Sequence, residues 1–265
     1  MVALDIDGTV FSAYDNSGVV EERVSVRVYD AVQRAKDAGA HVVLATGRST
    51  YGITRVWDML DLPRDGEHVF TVASNGAVTF TYEPVEIVDA VTFDASEVVP
   101  RLLEEVPDVM VAVEDVGVGY RVNRLFPEGE ISGQMTIQTI DELVADPVTR
   151  VVIRDPDASA EEFIELAQRM GLHGTNYFIG WTAWLDLAPE GISKASALAA
   201  VCDKLGVGQH EVLAVGDGRN DIEMLTWAGR GVAMGQAPLE VQTCADFVTE
   251  SVNNDGLAIE LERWF

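Results

Sequence analysis

Short apolar runs alternate with helical periodicity in the first part of the chain. The runs Val2–Leu4, Val42–Ala45 and Val69–Ala73 are almost wholly apolar, which is typical of parallel strands buried on both faces. Between them, apolar residues recur at helical spacing over 24–38 and 50–62. This βαβαβ order predicts a parallel sheet whose crossover connections are right-handed.

The pattern changes after residue 78. Paired strands are predicted over Val78–Tyr82 and Val85–Val91, and shorter strands then alternate with helices. We therefore predict an inserted α+β cap domain over residues 81–184, and a core domain formed by 1–80 and 185–265. The predicted fold class is α/β, with a doubly wound, Rossmann-like parallel-sheet core and an inserted α+β cap.

The core pattern returns after the predicted cap. We expect a helix over Ser193–Leu205, strands over Val212–Val215 and Gly231–Ala233, and a final helix over Gly256–Trp264. The stretch 125–141 follows neither the helical nor the strand period. Its structure is therefore left open.

Composition places the chain among ordinary globular proteins. It has 265 residues, of which 48% are hydrophobic, and no run approaches the roughly 20 apolar residues of a membrane helix. The start of the chain lacks the pattern of a signal peptide. We therefore expect a cytoplasmic protein with no membrane partner, and reduced thiols at Cys202 and Cys244, which lie in predicted helices.

The formal net charge of −26 limits the classes of partner that the protein can bind. A nucleic-acid-binding protein needs a basic surface, and we see none, so we expect no nucleic-acid partner. The same charge repels anionic substrates at long range. A phosphorylated substrate would therefore depend on a metal ion and on a few local cations.

Asp5 and Asp7 come directly after the first apolar run. Two carboxylates at the end of a buried strand repel each other and lose hydration, which costs several kcal/mol for an unpaired buried ion. A hard divalent cation such as Mg²⁺ would compensate, since it prefers oxygen ligands. The alternative is a strand that simply ends in a polar turn.

A second acidic segment follows the strand predicted at Val212–Val215. It reads Gly-Asp-Gly-Arg-Asn-Asp and carries Asp217 and Asp221. Because parallel strands present their carboxyl ends along one edge of a sheet, these residues are expected to meet Asp5 and Asp7 there. Residues 46–48, Thr-Gly-Arg, follow another strand and should reach the same edge.

Lys194 follows Ser193, which has the character of a helix N-cap. A cation in the first turn opposes the helix macrodipole by roughly 0.3–1 kcal/mol. The conflict disappears where an anion binds, because helix N-terminal amides attract phosphate. The alternative is a solvated surface lysine.

Four motifs in order give the chain a family resemblance. They are Asp5-Ile6-Asp7-Gly8-Thr9, Thr46-Gly47-Arg48, Lys194, and Gly216-Asp217-Gly218-Arg219-Asn220-Asp221. With these motifs, and with further matches such as Ser74-Asn75-Gly76-Ala77, the whole chain resembles hydrolases of the haloacid dehalogenase (HAD) superfamily. The resemblance is to the Cof-like branch, which carries a type IIB cap.

The resemblance implies a HAD core and a Mg²⁺-dependent phosphatase that acts on a small phosphorylated metabolite, such as a sugar phosphate. It implies that Asp5 is the nucleophile that forms an aspartyl-phosphate, and that Asp7 is the general acid and base. The implied Mg²⁺ site comprises Asp5, the backbone carbonyl of Asp7, Asp217 and, through water or by orienting the others, Asp221. A flap over residues 11–22 is also implied.

The implied phosphate and substrate contacts have alternatives of their own. They involve Thr46, Gly47, Arg48, Lys194 and Asn220. Arg48 could instead pair with an acid of the site, and Asn220 could instead cap a helix. In the cap, residues 121, 123 and 124 (Arg, Asn, Arg) and Trp181 are candidate substrate contacts whose alternative is a structural role.

Two other functions remain open from the sequence. A phosphomutase or phosphotransferase of the same superfamily would differ only in the acceptor of the phosphoryl group. A receiver-like signalling module also uses clustered aspartates, a lysine and Mg²⁺, but it needs no inserted cap of about a hundred residues and lacks a base at the position of Asp7. The physiological substrate and the oligomeric state are not predicted.

Overall fold

The computed structural model describes residues 1–11, 23–63, 66–170, 175–179 and 184–265. The strands are β1 (Val2–Leu4), β2 (Val42–Ala45), β3 (Val69–Ala73), β4 (Val78–Tyr82), β5 (Glu86–Ala90), β6 (Met110–Asp115), β7 (Gly119–Val122), β8 (Gln134–Ile137), β9 (Val151–Arg154), β10 (Thr175–Ile179), β11 (Trp184–Pro189), β12 (Leu213–Gly216), β13 (Arg230–Ala233) and β14 (Phe247–Val248). The α-helices are α1 (Val26–Asp37), α2 (Thr54–Met59), α3 (Val98–Glu105), α4 (Ile140–Leu143), α5 (Ala160–Met170), α6 (Lys194–Leu205), α7 (Ile222–Trp227), α8 (Leu239–Cys244) and α9 (Gly256–Leu261).

The described residues divide into two compact units. The first comprises Met1–Gly47, Thr54–Val88 and Ser193–Phe265, and the second comprises Arg48–Ile53 and Asp89–Ile192. The short segment Arg48–Ile53 thus belongs to the second unit, although it lies between two strands of the first along the chain.

The first unit contains an eight-stranded sheet in the order β14-β13-β12-β1-β2-β3-β4-β5. The pairs from β14 through to β3 are parallel, whereas β4 runs antiparallel to β3. Strand β1 lies between β12 and β2, so Val2 is aligned with Leu213 on one side and with Val42 on the other. The predicted parallel α/β core is therefore confirmed.

Both faces of the central strands are covered, which explains why their sequences are continuously apolar. On one face, Ala3 and Val43 pack with Leu198 of α6 and Leu225 of α7 in a single core cluster. The alternate residue Leu4 is equally buried, and α1 packs against β2 and α9. The arrangement is that of a doubly wound sheet.

The helix predicted over 50–62 is interrupted in the structure. Thr50–Gly52 forms a 3₁₀ turn, and only Thr54–Met59 is α-helical. The break occurs where Gly52 is followed by two β-branched residues, which have low helix propensity. The single long helix of the prediction is therefore wrong at this point.

The second unit contains a six-stranded sheet in the order β10-β11-β9-β6-β7-β8. Its pairs are antiparallel except for β7 with β8, which are parallel. One apolar cluster joins Val111 and Ile153 of the sheet to Leu102 of α3 and Phe163 of α5. Strand β8 lies in the stretch that followed neither sequence period, and its side chains are largely exposed.

No helix among the described residues is long and apolar enough to cross a membrane. Cys202 and Cys244 are free thiols and lie in α6 and α8, as the sequence predicts. The predicted flap lies almost wholly in residues 12–22, which are outside the described residues. Trp181 is also outside the described residues.

Candidate active site

The carboxyl edge of the core sheet brings the two acidic segments together. Strand β1 ends at Leu4, which is aligned with Val215 of β12. The Asp5 N–H continues this pairing by donating to the Val215 carbonyl oxygen at 3.0 Å. Asp5 therefore begins the loop after β1 directly beside the loop that carries Asp217.

Three of the predicted carboxylates form a compact group. One oxygen from each of Asp5, Asp217 and Asp221 lies within 4.8 Å of the others. All three are buried, with exposed fractions of 5%, 8% and 0%. The half-buried Asp7 side chain is not part of this group. Two strand ends that are about two hundred residues apart in sequence thus contribute to one acidic cluster.

Lys194 lies inside this group rather than on the surface. Ser193 is the N-cap of α6, as predicted, and its hydroxyl accepts from the Ser196 N–H. The Lys194 side chain is 0% exposed, and Nζ donates to Asp5 Oδ1 at 2.8 Å and to Asp221 Oδ1 at 2.6 Å. The alternative of a solvated surface lysine is therefore wrong.

Burial and mutual repulsion perturb the pKa values of these groups. Burial, reinforced by Asp221, raises the pKa of the Asp5 carboxyl well above its usual range, and the Lys194 ammonium partly opposes the rise. Burial and Asp221 likewise raise the pKa of Asp217 to about 6. Burial alone would lower the pKa of Lys194, but the Asp221 and Asp5 carboxylates outweigh it and raise that pKa.

The charges of the group suit a divalent cation. When all three carboxylates are ionised, the single Lys194 ammonium leaves two negative charges uncompensated in a buried site. Such charges are costly without a counter-ion. The donors are carboxylate oxygens, which Mg²⁺ prefers over nitrogen or sulfur. The donor set therefore fits Mg²⁺.

The Asp221 carboxylate accepts hydrogen bonds from Lys194 and from the backbone of the loop after β12. Its Oδ2 accepts from the N–H groups of Asp217 at 3.0 Å and Gly218 at 2.8 Å, while Oδ1 accepts from Lys194. A Cβ at Gly216 would overlap the Asp221 carboxyl group, so the glycine allows this close approach. Asp221 therefore fixes the geometry in which Asp217 and Lys194 are presented.

Gln236 is a site residue that the sequence analysis missed. It follows β13, and its Nε2 donates to the Gly8 carbonyl oxygen at 2.6 Å and to Asp217 Oδ2 at 3.1 Å. Its Oε1 accepts from the Val252 N–H at 2.9 Å. The available signal was its position just beyond a strand end on the same sheet edge. Gln236 orients the Asp217 carboxylate relative to the loop after β1.

The Thr46-Gly47 loop meets Asn220 through Asn75. The Thr46 N–H donates to the Val72 carbonyl oxygen at 2.9 Å, and its own carbonyl accepts from the Asn75 N–H at 3.0 Å. Asn220 Nδ2 donates to Asn75 Oδ1 at 2.9 Å. Gly218 and Asp221 occupy the N-cap positions of the 3₁₀ turn and of α7, so the alternative that Asn220 caps a helix is wrong.

Arg48 and the described candidate residues of the predicted cap, 121, 123 and 124, lie in the second unit. The Arg48 guanidinium donates to the Gly52 carbonyl oxygen at 3.3 Å. The Asn123 amide is bound to the backbone of residues 109 and 111, at 3.1 and 2.8 Å, and Arg121 Nη1 lies 3.4 Å from the Glu142 carbonyl oxygen. Asn123 thus has the structural role that was its alternative.

A doubly wound sheet with a lysine and three buried carboxylates at its carboxyl edge is typical of the class of sites that carry out phosphoryl transfer. Family comparison agrees with this class: the profile described as haloacid dehalogenase-like hydrolase matches residues 2–261. The chain therefore belongs to the haloacid dehalogenase-like hydrolases. The predicted superfamily, and with it the expectation of an enzyme of the phosphatase type, is confirmed.

Individual relatives match along nearly their whole length. The chain is 30% identical to the 5-amino-6-(5-phospho-D-ribitylamino)uracil phosphatase YcsE of Bacillus subtilis, covering 100% of this chain and 95% of that protein. It is 30% identical to BT1666 from Bacteroides thetaiotaomicron, a HAD phosphatase, with a TM-score of 0.79 over 99% of this chain and 93% of that one. The subclass IIB sugar phosphatase BT4131 shares the fold, with 22% identity and a TM-score of 0.80 over 99% and 98%.

Proposed function

We propose that this phosphatase is Mg²⁺-dependent and hydrolyses a small phosphorylated metabolite through an aspartyl-phosphate on Asp5. The observation that carries the proposal is the buried group in which Lys194 bridges Asp5 and Asp221 while Asp217 lies beside them. Phosphoryl transfer requires an in-line nucleophile and positive charge near the transferring oxygens. The group provides the carboxylate, the ammonium and a donor set for the cation.

Asp5 is the proposed nucleophile. A carboxylate attacks phosphorus only when it is ionised, but burial raises the pKa of Asp5. The Lys194 ammonium, 2.8 Å from Oδ1, lowers that pKa and favours the ionised form. Its attack forms the Asp5 acyl-phosphate bond and breaks the bond between phosphorus and the ester oxygen.

Asp7 is the proposed general acid and base. It lies two residues beyond Asp5 in a tight loop in which the Gly8 N–H donates to the Phe11 carbonyl oxygen at 2.9 Å. Unlike Asp5, it is only half-buried, which suits a group that must exchange protons with a leaving alkoxide and with water. It protonates the ester oxygen in the first step, and in the second step it takes a proton from the water that hydrolyses the aspartyl-phosphate.

Asp5, Asp217 and the Asp7 carbonyl would hold the magnesium ion, and Asp221 would orient them. When bound, Mg²⁺ supplies neutralisation of the charge on the phosphoryl oxygens. Around the phosphoryl group, Lys194 contributes an ammonium, the Thr46 side chain a hydroxyl, and Gly47 and Asn220 further polar contacts. Arg48 is assigned to the remainder of the substrate.

The proposed substrate is a phosphomonoester of a polyhydroxylated carbon chain. YcsE is named for a phosphoribityl substrate and BT4131 is described as a sugar phosphatase. Both names place the phosphate on a carbon chain that carries hydroxyl groups. We assign selection among such substrates to the second unit, as a cap domain, and phosphoryl transfer to the first.

The test is hydrolysis by the purified chain. We expect release of inorganic phosphate from p-nitrophenyl phosphate with Mg²⁺, loss of release in EDTA, and faster release from a ribitol or hexose phosphate. Mass spectrometry of the products separates the phosphotransferase alternative, since an isomerised phosphate ester without free phosphate supports a mutase. Failure to hydrolyse any phosphomonoester in a broad panel with Mg²⁺ would overturn the proposal.

A further inference from the structure

The turn after β3 has a backbone that most residues avoid. Ser74, Asn75 and Gly76 have φ values of 50°, 54° and 104°, and all three are buried. Positive φ is uncommon for residues with a side chain, although asparagine adopts it more readily than most. Strained backbone of this kind is often found at functional sites, where surrounding contacts hold it in place.

The turn lies against three of the motif loops at once. Asn75 donates its N–H to the Thr46 carbonyl oxygen at 3.0 Å and accepts from Asn220 Nδ2 at 2.9 Å. Gly76 approaches the peptide between Ser193 and Lys194 so closely that a Cβ would overlap the Ser193 carbonyl group. The turn is therefore in contact with the loops that carry Thr46, Lys194 and Asn220.

The Asn75 side chain does something that the backbone conformation does not require. Glycine enters this region without steric cost, and Gly76 beside it does so. What asparagine adds is the Oδ1 acceptor for Asn220. A Cβ at Gly218 would overlap Asn220 Oδ1, so the Asn220 amide packs against Gly218 through its oxygen and donates to Asn75 through its nitrogen.

We infer that Asn75 is a positioning residue, which acts on phosphoryl transfer through Asn220 and not by contact with the substrate. This inference rests on the proposed function, since Asn220 is assigned there to the phosphoryl group. By accepting the Asn220 amide hydrogen, Asn75 fixes the Asn220 side chain beside the Thr46-Gly47 loop. Removal of Oδ1 frees the Asn220 amide to rotate, while the turn itself is kept by glycine.

The test is a double-mutant cycle with Asn75→Gly and Asn220→Ala, using p-nitrophenyl phosphate and Mg²⁺. Asn75→Gly should lower kcat/KM about tenfold and leave the unfolding midpoint within about 4 °C of the original protein. The double variant should be no slower than Asn220→Ala alone, within about twofold, because residues that act through one another are not additive. If the double variant instead lost kcat/KM by the product of the two single losses, the inference would be overturned, since Asn75 would then act independently of Asn220.

Asp61→Gly is the matched control. Asp61 also has a positive φ, 48°, but it binds Tyr29 on the surface of the first unit. This variant makes the same kind of change to a small polar residue and should keep kcat and KM unchanged. A comparable loss of activity in Asp61→Gly would show that relief of backbone strain, and not the Asn75 acceptor, causes the effect.

A second readout does not depend on activity. In the side-chain amide NMR spectrum of ¹⁵N-labelled protein, the Asn220 hydrogens should exchange slowly in the original protein and quickly in Asn75→Gly. Unchanged exchange would overturn the inference even if activity fell. If the original protein hydrolysed no phosphomonoester, the proposed function would fail, and the exchange measurement would still decide whether Asn75 fixes Asn220.

Discussion

Each unit of the chain buries an ion pair, and the two differ in how their charges balance. In the second unit, Arg150 and Asp186 are 5% and 6% exposed and form a two-pronged pair, with both hydrogen bonds at 2.9 Å. In the first unit, one ammonium of Lys194 faces three carboxylates. The Arg150–Asp186 pair carries no net charge. The group around Lys194 carries a net negative charge that a divalent cation would neutralise.

The comparison separates structural from functional burial of charge. A neutral buried pair contributes to a defined fold and can often be replaced by apolar residues without loss of stability. An unbalanced buried group is costly in the free protein, and this cost is often a sign of a binding or catalytic site. The comparison therefore predicts that changes in the first unit affect activity and metal binding, and that changes in the second affect stability.

The largest expected effect is that of Asp5→Asn on turnover. We expect at least an about thousandfold loss of kcat for p-nitrophenyl phosphate, because the amide cannot form an acyl-phosphate. The unfolding midpoint should not fall, because the substitution removes one of the repelling carboxylates. Residual turnover above a tenth of the original rate, in a preparation free of other phosphatases, would exclude Asp5 as the nucleophile.

The next effect concerns stability in the second unit. Arg150→Met removes the ion-pair partner of Asp186 and should cost about 3–5 kcal/mol of unfolding free energy, measured by urea denaturation. The double variant Arg150→Met, Asp186→Leu should regain at least about half of that loss, because the Asp186 carboxylate is then no longer left buried without its partner. A single variant as stable as the original protein would show that the pair is not held as the structure indicates.

Gln236→Ala should weaken the binding of Mg²⁺. Because Gln236 orients Asp217 at 3.1 Å, its loss should reduce the affinity for Mg²⁺ about tenfold, as measured by calorimetry or by the rise of the unfolding midpoint with Mg²⁺. Gln209→Ala is a suitable control, since that side chain binds the Trp227 carbonyl oxygen from the turn before β12 and does not touch the segment that carries Gln236. Equal affinity for Mg²⁺ in the Gln236 and Gln209 variants would refute an orienting role for Gln236.

The smallest effect is a pH dependence of the stabilisation by Mg²⁺. The pKa of Asp217 is raised to about 6 by burial and by Asp221. Without metal, Asp217 therefore binds its proton more tightly in the folded state than in the unfolded state, where it is released near pH 4. Protonated Asp217 stabilises the folded state below about pH 4, and this stabilisation is lost as the pH rises from about 4 to about 6. Mg²⁺ should then raise the unfolding midpoint by about 2–4 °C more at pH 7.5 than at pH 5. An equal rise at both pH values would contradict the raised pKa.

The core sheet and its acidic residues could be predicted from the sequence because the signals are local. Strands β1, β2 and β12 are apolar runs, and Asp5, Thr46 and Asp217 follow their ends. The buried position of Lys194 against Asp5 depends on a contact between residues that lie 189 positions apart in the sequence. The sequence indicated only that a cation in the first turn of a helix is unfavourable unless an anion lies nearby.

The contributions of Asn75 and Gln236 could not be predicted, because they exist only as contacts between distant loops. Asn75 and Asn220 lie 145 positions apart in the sequence, and although both follow strands of the core sheet, the sequence does not indicate that their side chains form a hydrogen bond. The short strand β14 was missed for another reason, since two residues are too few to establish a period. Local patterns predict elements and their ends, whereas long-range hydrogen bonds require the folded chain.

The central claim is that Asp5, held by Lys194, accepts the phosphoryl group. The most direct test is peptide mass spectrometry of the Asp7→Asn variant after incubation with p-nitrophenyl phosphate and Mg²⁺, since loss of the general base should slow hydrolysis of the aspartyl-phosphate. The account predicts one added phosphoryl group, located on Asp5 and absent when Asp5 is also changed to Asn. A phosphoryl group found on any other residue would contradict it.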